Sequence, residues 1–202
     1  MTSSRIEQII DEAEDAMGVL LALGARCDED SWLRTSVAEG WSVAAVFHHV
    51  AAGNQFILGW LHQMRSGRPI EETWDDVHRR NAEQARRFAD CERMPTLRLL
   101  RTVRDEAIEF LEGLADTDLE RSSYCALNHR VLTVAEVAGW LAGHPTDHLD
   151  SLRAVLPARV KDPPQDFAGE ARPSGADGTQ PIAAKNNDDR RQSVTTRRRL
   201  SW

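Results

Sequence analysis

Four stretches of this chain repeat apolar residues at intervals of three and four, and that spacing commits it to packing helices side by side. Ile6, Ile9, Ile10, Ala13, Met17, Leu20 and Leu21 form the first stripe, behind the capping-box spacing Ser4-Arg5-Ile6-Glu7, and this helix should end near Gly24. The second begins at Trp41-Ser42, with Ser42 placed as an N-cap and Val43, Val46, Val50, Ile57, Leu58 and Leu61 as its buried side. It should stop before Gly67-Arg68-Pro69. Pro95, a residue favoured in a first helical turn, opens another, with Leu100, Val103, Ala107, Phe110, Leu111 and Leu114 on one face. The box Thr133-Val134-Ala135-Glu136 opens the last, which should run through Val155. A more polar helix fits between, over residues 75–90, and no stretch alternates with period two, so strands are not expected. The reading is an all-α protein: an antiparallel four-helix bundle with an additional short helix and a disordered C-terminal tail.

The tail is predicted from composition. Past Pro157 the chain is broken by Pro163, Pro164, Pro173 and Pro181 and is rich in Gly, Asp, Asn and Gln, too polar to offset its own ordering entropy. The expected division is a bundle over 1–158 and a tail over 159–202. The basic end Arg197-Arg198-Arg199 reads as a solvated cluster. Residues 161–202 carry eight basic and six acidic side chains, leaving 17 basic against 26 acidic in the rest, within a net charge of −7. An acidic body repels phosphate backbones, so nucleic acid is not an expected partner. No apolar run reaches the roughly 18 residues of a membrane span, and the N-terminus lacks the apolar core of a secretory signal. Cys27, Cys91 and Cys125 are odd in number and follow no metal-binding spacing, which fits reduced thiols in a cytoplasm.

Chemistry enters with the histidines. His144 and His148 are one turn apart on the last helix, in the stripe Val137, Leu141, His144, His148, Leu152 and Val155. His49 shares the buried side of the second helix with Val46 and Val50, and small Gly53 one turn on leaves room beside it. An inward imidazole without a partner costs about 1–3 kcal/mol, and a shared metal ion removes that conflict for several at once. The alternative is that the three are independently hydrogen-bonded. His48 is turned about 100° from His49 and is placed at a helix–helix boundary. His62, His78 and His129 read as solvated. Trp41 should staple the start of its helix, while Trp60, Trp74 and Trp140 read as packing. Asn54, Asn81 and Glu136 could support metal ligands, with surface or capping roles the plainer expectation, and Cys125 reads as buried and inert. Pro145 falls between two candidate ligands; it should kink the helix or start a new segment, swinging His144 toward an ion or away from it.

The segment Trp41-Ser42-Val43-Ala44-Ala45-Val46-Phe47-His48-His49-Val50-Ala51 resembles the second-helix signature of the DinB-like superfamily, and His144-Pro145-Thr146-Asp147-His148 resembles its last-helix HxxxH. The resemblance implies a metal-binding four-helix bundle over residues 5–156, related to the N-terminal domain of mycothiol-dependent maleylpyruvate isomerase, with His49, His144 and His148 as metal ligands. Three imidazoles leave a coordination position open, as in catalytic sites. Zinc or nickel leads the candidates, with iron and manganese also allowed. The first function considered is a thiol-dependent transferase joining mycothiol or another low-molecular-weight thiol to a small electrophile. All basic residues except Lys161 and Lys185 are Arg, a skew that hints at a GC-rich genome and so at mycothiol. The isomerase carries a second domain after the bundle, so isomerase activity is not expected here. The alternatives are a metal-dependent hydrolase and a non-catalytic metal or small-molecule binding module; a homodimer is also open.

Overall fold

The computed structural model describes residues 4–157; the expected tail lies outside the described residues. Four long helices form the bundle: α1 (Ser4–Ala25), α3 (Val43–Arg65), α5 (Arg93–Glu112) and α8 (Trp140–Val155). Between them lie α2 (Glu29–Leu33), α4 (Trp74–Arg87), α6 (Asp116–Leu119), the strands β1 (Ser122–Cys125) and β2 (Arg130–Thr133), and α7 (Val134–Ala138). The predicted stripes are the interior: Met17, Leu20, Val46, Val50, Ile57, Leu61, Leu100, Val103, Leu111, Val137, Leu141 and Leu152 are all buried. At about 1.5–3 kcal/mol for a fully buried large aliphatic side chain, this burial is what holds the helices together.

Around the bundle α1 touches α5 and α8, and α3 touches the same two, so α1 and α3 face each other across the diagonal. Gly24 at the end of α1 lies against Phe47 and Leu97, near the starts of α3 and α5. At the other end His62 meets Phe110, and Arg65 donates to the Gly113 carbonyl. Hence α3 and α5 run the same way, and α1 and α8 run opposite to them. The reason is α4. This polar helix, capped by a Thr73–Asp76 box, carries the chain back along α3 so that α5 starts at the end where α3 started.

Local signals set most boundaries. Ser42 caps α3 by accepting from the Ala45 amide. Pro95 sits in the first turn of α5, where no intrahelical amide is required. Two expectations are corrected. A hairpin exists: β1 and β2 pair antiparallel with Ser122 opposite Thr133 and Cys125 opposite Arg130, and Ile70 from the α3–α4 loop adds a parallel bridge to Cys125. These strands are too short, and too unevenly buried, to show alternation; their turn runs through His129 at φ 51° rather than through a glycine. The last helix is also interrupted, at Gly139, into α7 and α8. Among the described residues no helix is long and apolar enough to cross a membrane.

Candidate metal centre

His49 faces the groove where α3 meets α8, and the antiparallel run of α8 sets His144 and His148 beside it. All three are buried, at 2%, 0% and 4% exposure. Their ring centroids form a nearly equilateral triangle of 4.9, 5.0 and 5.1 Å, with ring planes 82–89° apart. His49 Nε2 and His144 Nε2 are 3.1 Å apart. One ligand nitrogen from each of the three lies within 4.8 Å of the others. Two nitrogens bound tetrahedrally to one zinc ion at 2.0–2.1 Å would be about 3.3 Å apart. The His49–His144 pair is at that spacing, and all three predicted ligands are brought within 4.8 Å of one another.

Gly53 makes the approach possible in a way spacing alone did not show. A Cβ there would lie 2.2 Å from His144 Cε1, so the bare helix surface is the floor on which His144 rests. Pro145 neither starts a new segment nor ends α8; it lies inside the helix. Lacking an amide hydrogen, it cannot serve the Leu141 carbonyl. Asn54 does so instead: its Nδ2 donates to Leu141 O at 3.0 Å, and its Oδ1 is 3.0 Å from His144 Nδ1. With Nδ2 donating, Oδ1 must accept, so the His144 proton is on Nδ1 and its Nε2 carries a lone pair. Asn54 is thus tied to the site, beyond the surface or capping role that was its plainer expectation.

His148 is fixed from another direction. Its Nδ1 is 2.9 Å from Glu39 Oε1, and the Ser151 hydroxyl donates to the same oxygen at 2.6 Å. The hydrogen bond from His148 holds the Glu39 carboxyl below the usual carboxylate range, against the opposing effect of burial. Nothing in the periodicity points to Glu39, because it comes from the loop between α2 and α3. Ser151 was readable, being three residues past His148 on the same helix face. The Nε2 of His148 and the Nδ1 of His49 are buried with no hydrogen-bond partner among the described residues. For His148 that bare nitrogen is the one left to meet a cation, so the donor set fits a divalent metal. Burial pushes His49 down to about 3 and, foremost among its causes, holds His144 well below its ordinary value. Both rings are neutral at physiological pH, the form that coordinates.

The other candidates settle into plainer roles. His48 stacks on Phe88 at the α3–α4 boundary, with centroids 3.4 Å apart. His62, His78 and His129 are exposed. Trp41 sets its ring against that of His49 at 5.2 Å, and Trp60 donates to Glu72 at 2.7 Å while packing edge-on to Trp140. Glu136 completes the cap of α7 and pairs with Arg130, while Asn81 is buried on α4 outside the triad. Burial raises the thiols of Cys27, to about 11, of Cys91 and of Cys125.

A comparison with curated proteins finds no match. Among solved structures the chain is similar to YfiT from Bacillus subtilis, described as a probable metal-dependent hydrolase with an unusual four-helix bundle topology. The TM-score is 0.64 at 15% identity, over 77% of this chain and 87% of that one, a likeness of fold. The family pattern of the DinB superfamily matches residues 12–152, which takes in α3 and α5 whole, most of α1 and α8, and all three histidines. On that match, the chain belongs to the DinB superfamily.

Proposed function

We propose that the protein is a divalent-metal-dependent enzyme that transfers a low-molecular-weight thiol, of the mycothiol type, to a small electrophile. The observation that carries the reading is the convergence of three buried imidazoles from two helices. His49, His144 and His148 would hold the ion, zinc or nickel foremost, and would leave it a position for a further ligand. When bound, such an ion supplies Lewis acidity that favours the ionised form of a thiol or a water. The chain's own contribution is orientation and exclusion of bulk water: Asn54 and Glu39 hold the Nδ1 sides of two rings, and Trp41 covers the third. The transfer forms a sulfur–carbon bond while the leaving group departs and the thiol proton passes to solvent.

An external nucleophile suits this chain. Each of its three cysteines has its thiol raised by burial, and none belongs to the triad, so the protein offers no activated sulfur of its own. Room for a small substrate lies farther along α3: a cleft of about 300 Å³ is lined by Phe56, Trp60 and Glu72 among others. Phe56 and Trp60 share the side of α3 that carries His49. The second reading, hydrolysis, is favoured by the description of the structural neighbour.

Elemental analysis of the purified protein comes first, then an assay with a chlorodinitroarene on metal-loaded protein. Consumption that requires both metal and added thiol supports transfer. Turnover of activated esters without thiol favours hydrolysis, and bound metal with neither activity leaves a binding module. The double variant His49→Ala/His148→Ala should bind no metal; stoichiometric retention would refute the site.

A further inference from the structure

Two of the three imidazoles have a protein partner on Nδ1, but the partners differ in kind. His144 faces the neutral amide of Asn54, whereas His148 faces the carboxylate of Glu39. We propose that Glu39 is a positioning residue for the metal centre: its carboxylate locks His148 with the proton on Nδ1 and the Nε2 lone pair turned to the cation. The proposal rests on the metal-centre reading for its consequence, and on the hydrogen-bond geometry for its premise.

The geometry is specific. Among the described residues His148 Nε2 is buried without a partner, so only the Nδ1 side of the ring is held. Glu39 Oε1 collects both that Nδ1–H and the Ser151 hydroxyl, and its side chain is only 19% exposed. The carboxylate also sits on a braced loop. Ser36 N donates to Trp41 O and Gly40 N to Ser36 O, both at 2.8 Å, and Thr35 bridges Ser42 at the loop base. Gly40 turns the chain at φ +70°, a conformation that favours glycine. The loop therefore delivers Glu39 to a fixed place, with Trp41 two residues on against His49. A carboxylate behind a ligating imidazole makes the ring a stronger donor, and loss of such a partner typically weakens metal binding about 10–100-fold. Glu39 also places one negative charge beside the three rings, offsetting part of a dication's charge.

The test uses the full chain, with zinc affinity measured by competition against a chelator and the His148 ring read by ¹⁵N–¹H correlation in metal-free protein. In the wild type the His148 proton should be on Nδ1. Glu39→Ala should bind zinc about 10–100-fold more weakly and show His148 as mixed tautomers. Glu39→Gln keeps an oxygen acceptor without the charge, and should retain the tautomer with a smaller loss of affinity. Circular dichroism checks that each variant is folded. Glu39→Ala with wild-type affinity and an unchanged His148 tautomer overturns the proposal. Wild-type protein that takes up no metal refutes the metal-centre reading instead, and the tautomer comparison still decides whether Glu39 sets the ring.

Discussion

Asn54 answers for two groups at once, and that makes its replacement measurable in an unusual way. In Asn54→Ala the Leu141 carbonyl loses the donor that stands in for the missing amide of Pro145, and His144 Nδ1 loses its acceptor. Both lie in a fully buried place, Leu141 and His144 each being 0% exposed. At about 1–3 kcal/mol for each stranded group, the variant should lose about 2–6 kcal/mol of stability in the metal-free protein. In Pro145→Ala the restored backbone amide can serve Leu141 from within the helix, leaving only His144 dependent on Asn54. Asn54→Ala should then cost only about 1–3 kcal/mol, a coupling of roughly 1–3 kcal/mol between two residues that the sequence sets far apart. Urea denaturation followed by circular dichroism on the four proteins of the cycle measures it. Equal cost of Asn54→Ala in both backgrounds would show that Asn54 does not replace the proline's missing donor.

Three further outcomes are expected. Gly53→Ala should lower stability by about 1–3 kcal/mol and weaken zinc binding, because its Cβ meets His144 at 2.2 Å; Gly18→Ala in α1, with nothing within 4 Å, should instead stabilise by up to about 1 kcal/mol. Urea melts that give both substitutions the same sign would contradict the packing. Metal-free protein should lose stability as pH falls from about 6.5, where histidines of the unfolded chain begin to take protons, toward about 3, where folded His49 does. Within that window the unfolded state binds more protons, so stability rises with pH, by up to about 1.4 kcal/mol per pH unit for each such histidine. A pH-independent unfolding midpoint between 4 and 6 would contradict the burial of the neutral rings. Alkylation at pH 8 of all three thiols in the folded protein should be far slower than after denaturation, since burial raises each one; rapid labelling of Cys125 would reopen a role for it.

The stripes of α1, α3, α5 and α8 were legible because each helix buries one face, and a face of period 3.6 is written directly into residue order. His49, His144 and His148 were legible for the same reason, as polar residues standing in apolar stripes. Glu39 was not, since a loop has no period and its carboxylate reaches His148 only once α8 is docked. The link from Asn54 to Pro145 was half visible: the sequence shows that Leu141 loses a donor, but not which residue supplies another. The hairpin was hidden by strands of four residues with irregular burial. The parallel run of α3 and α5 depends on the return path of α4, which is set by tertiary packing rather than by any one stripe.

The three histidines proposed to hold the ion come from distant parts of the chain, His49 in α3 and His144 and His148 in α8. During synthesis the first is made long before the other two, so a partial chain ending ahead of α8 would lack two of the three proposed ligands. Loading would then be the closing event of assembly, a clasp fastened after the rods have docked. It would tie stability to the free concentration of the ion, because every captured cation withdraws folded molecules from the unfolding equilibrium. Starvation for that metal would therefore be felt as a shorter lifetime of the protein as well as a loss of its chemistry.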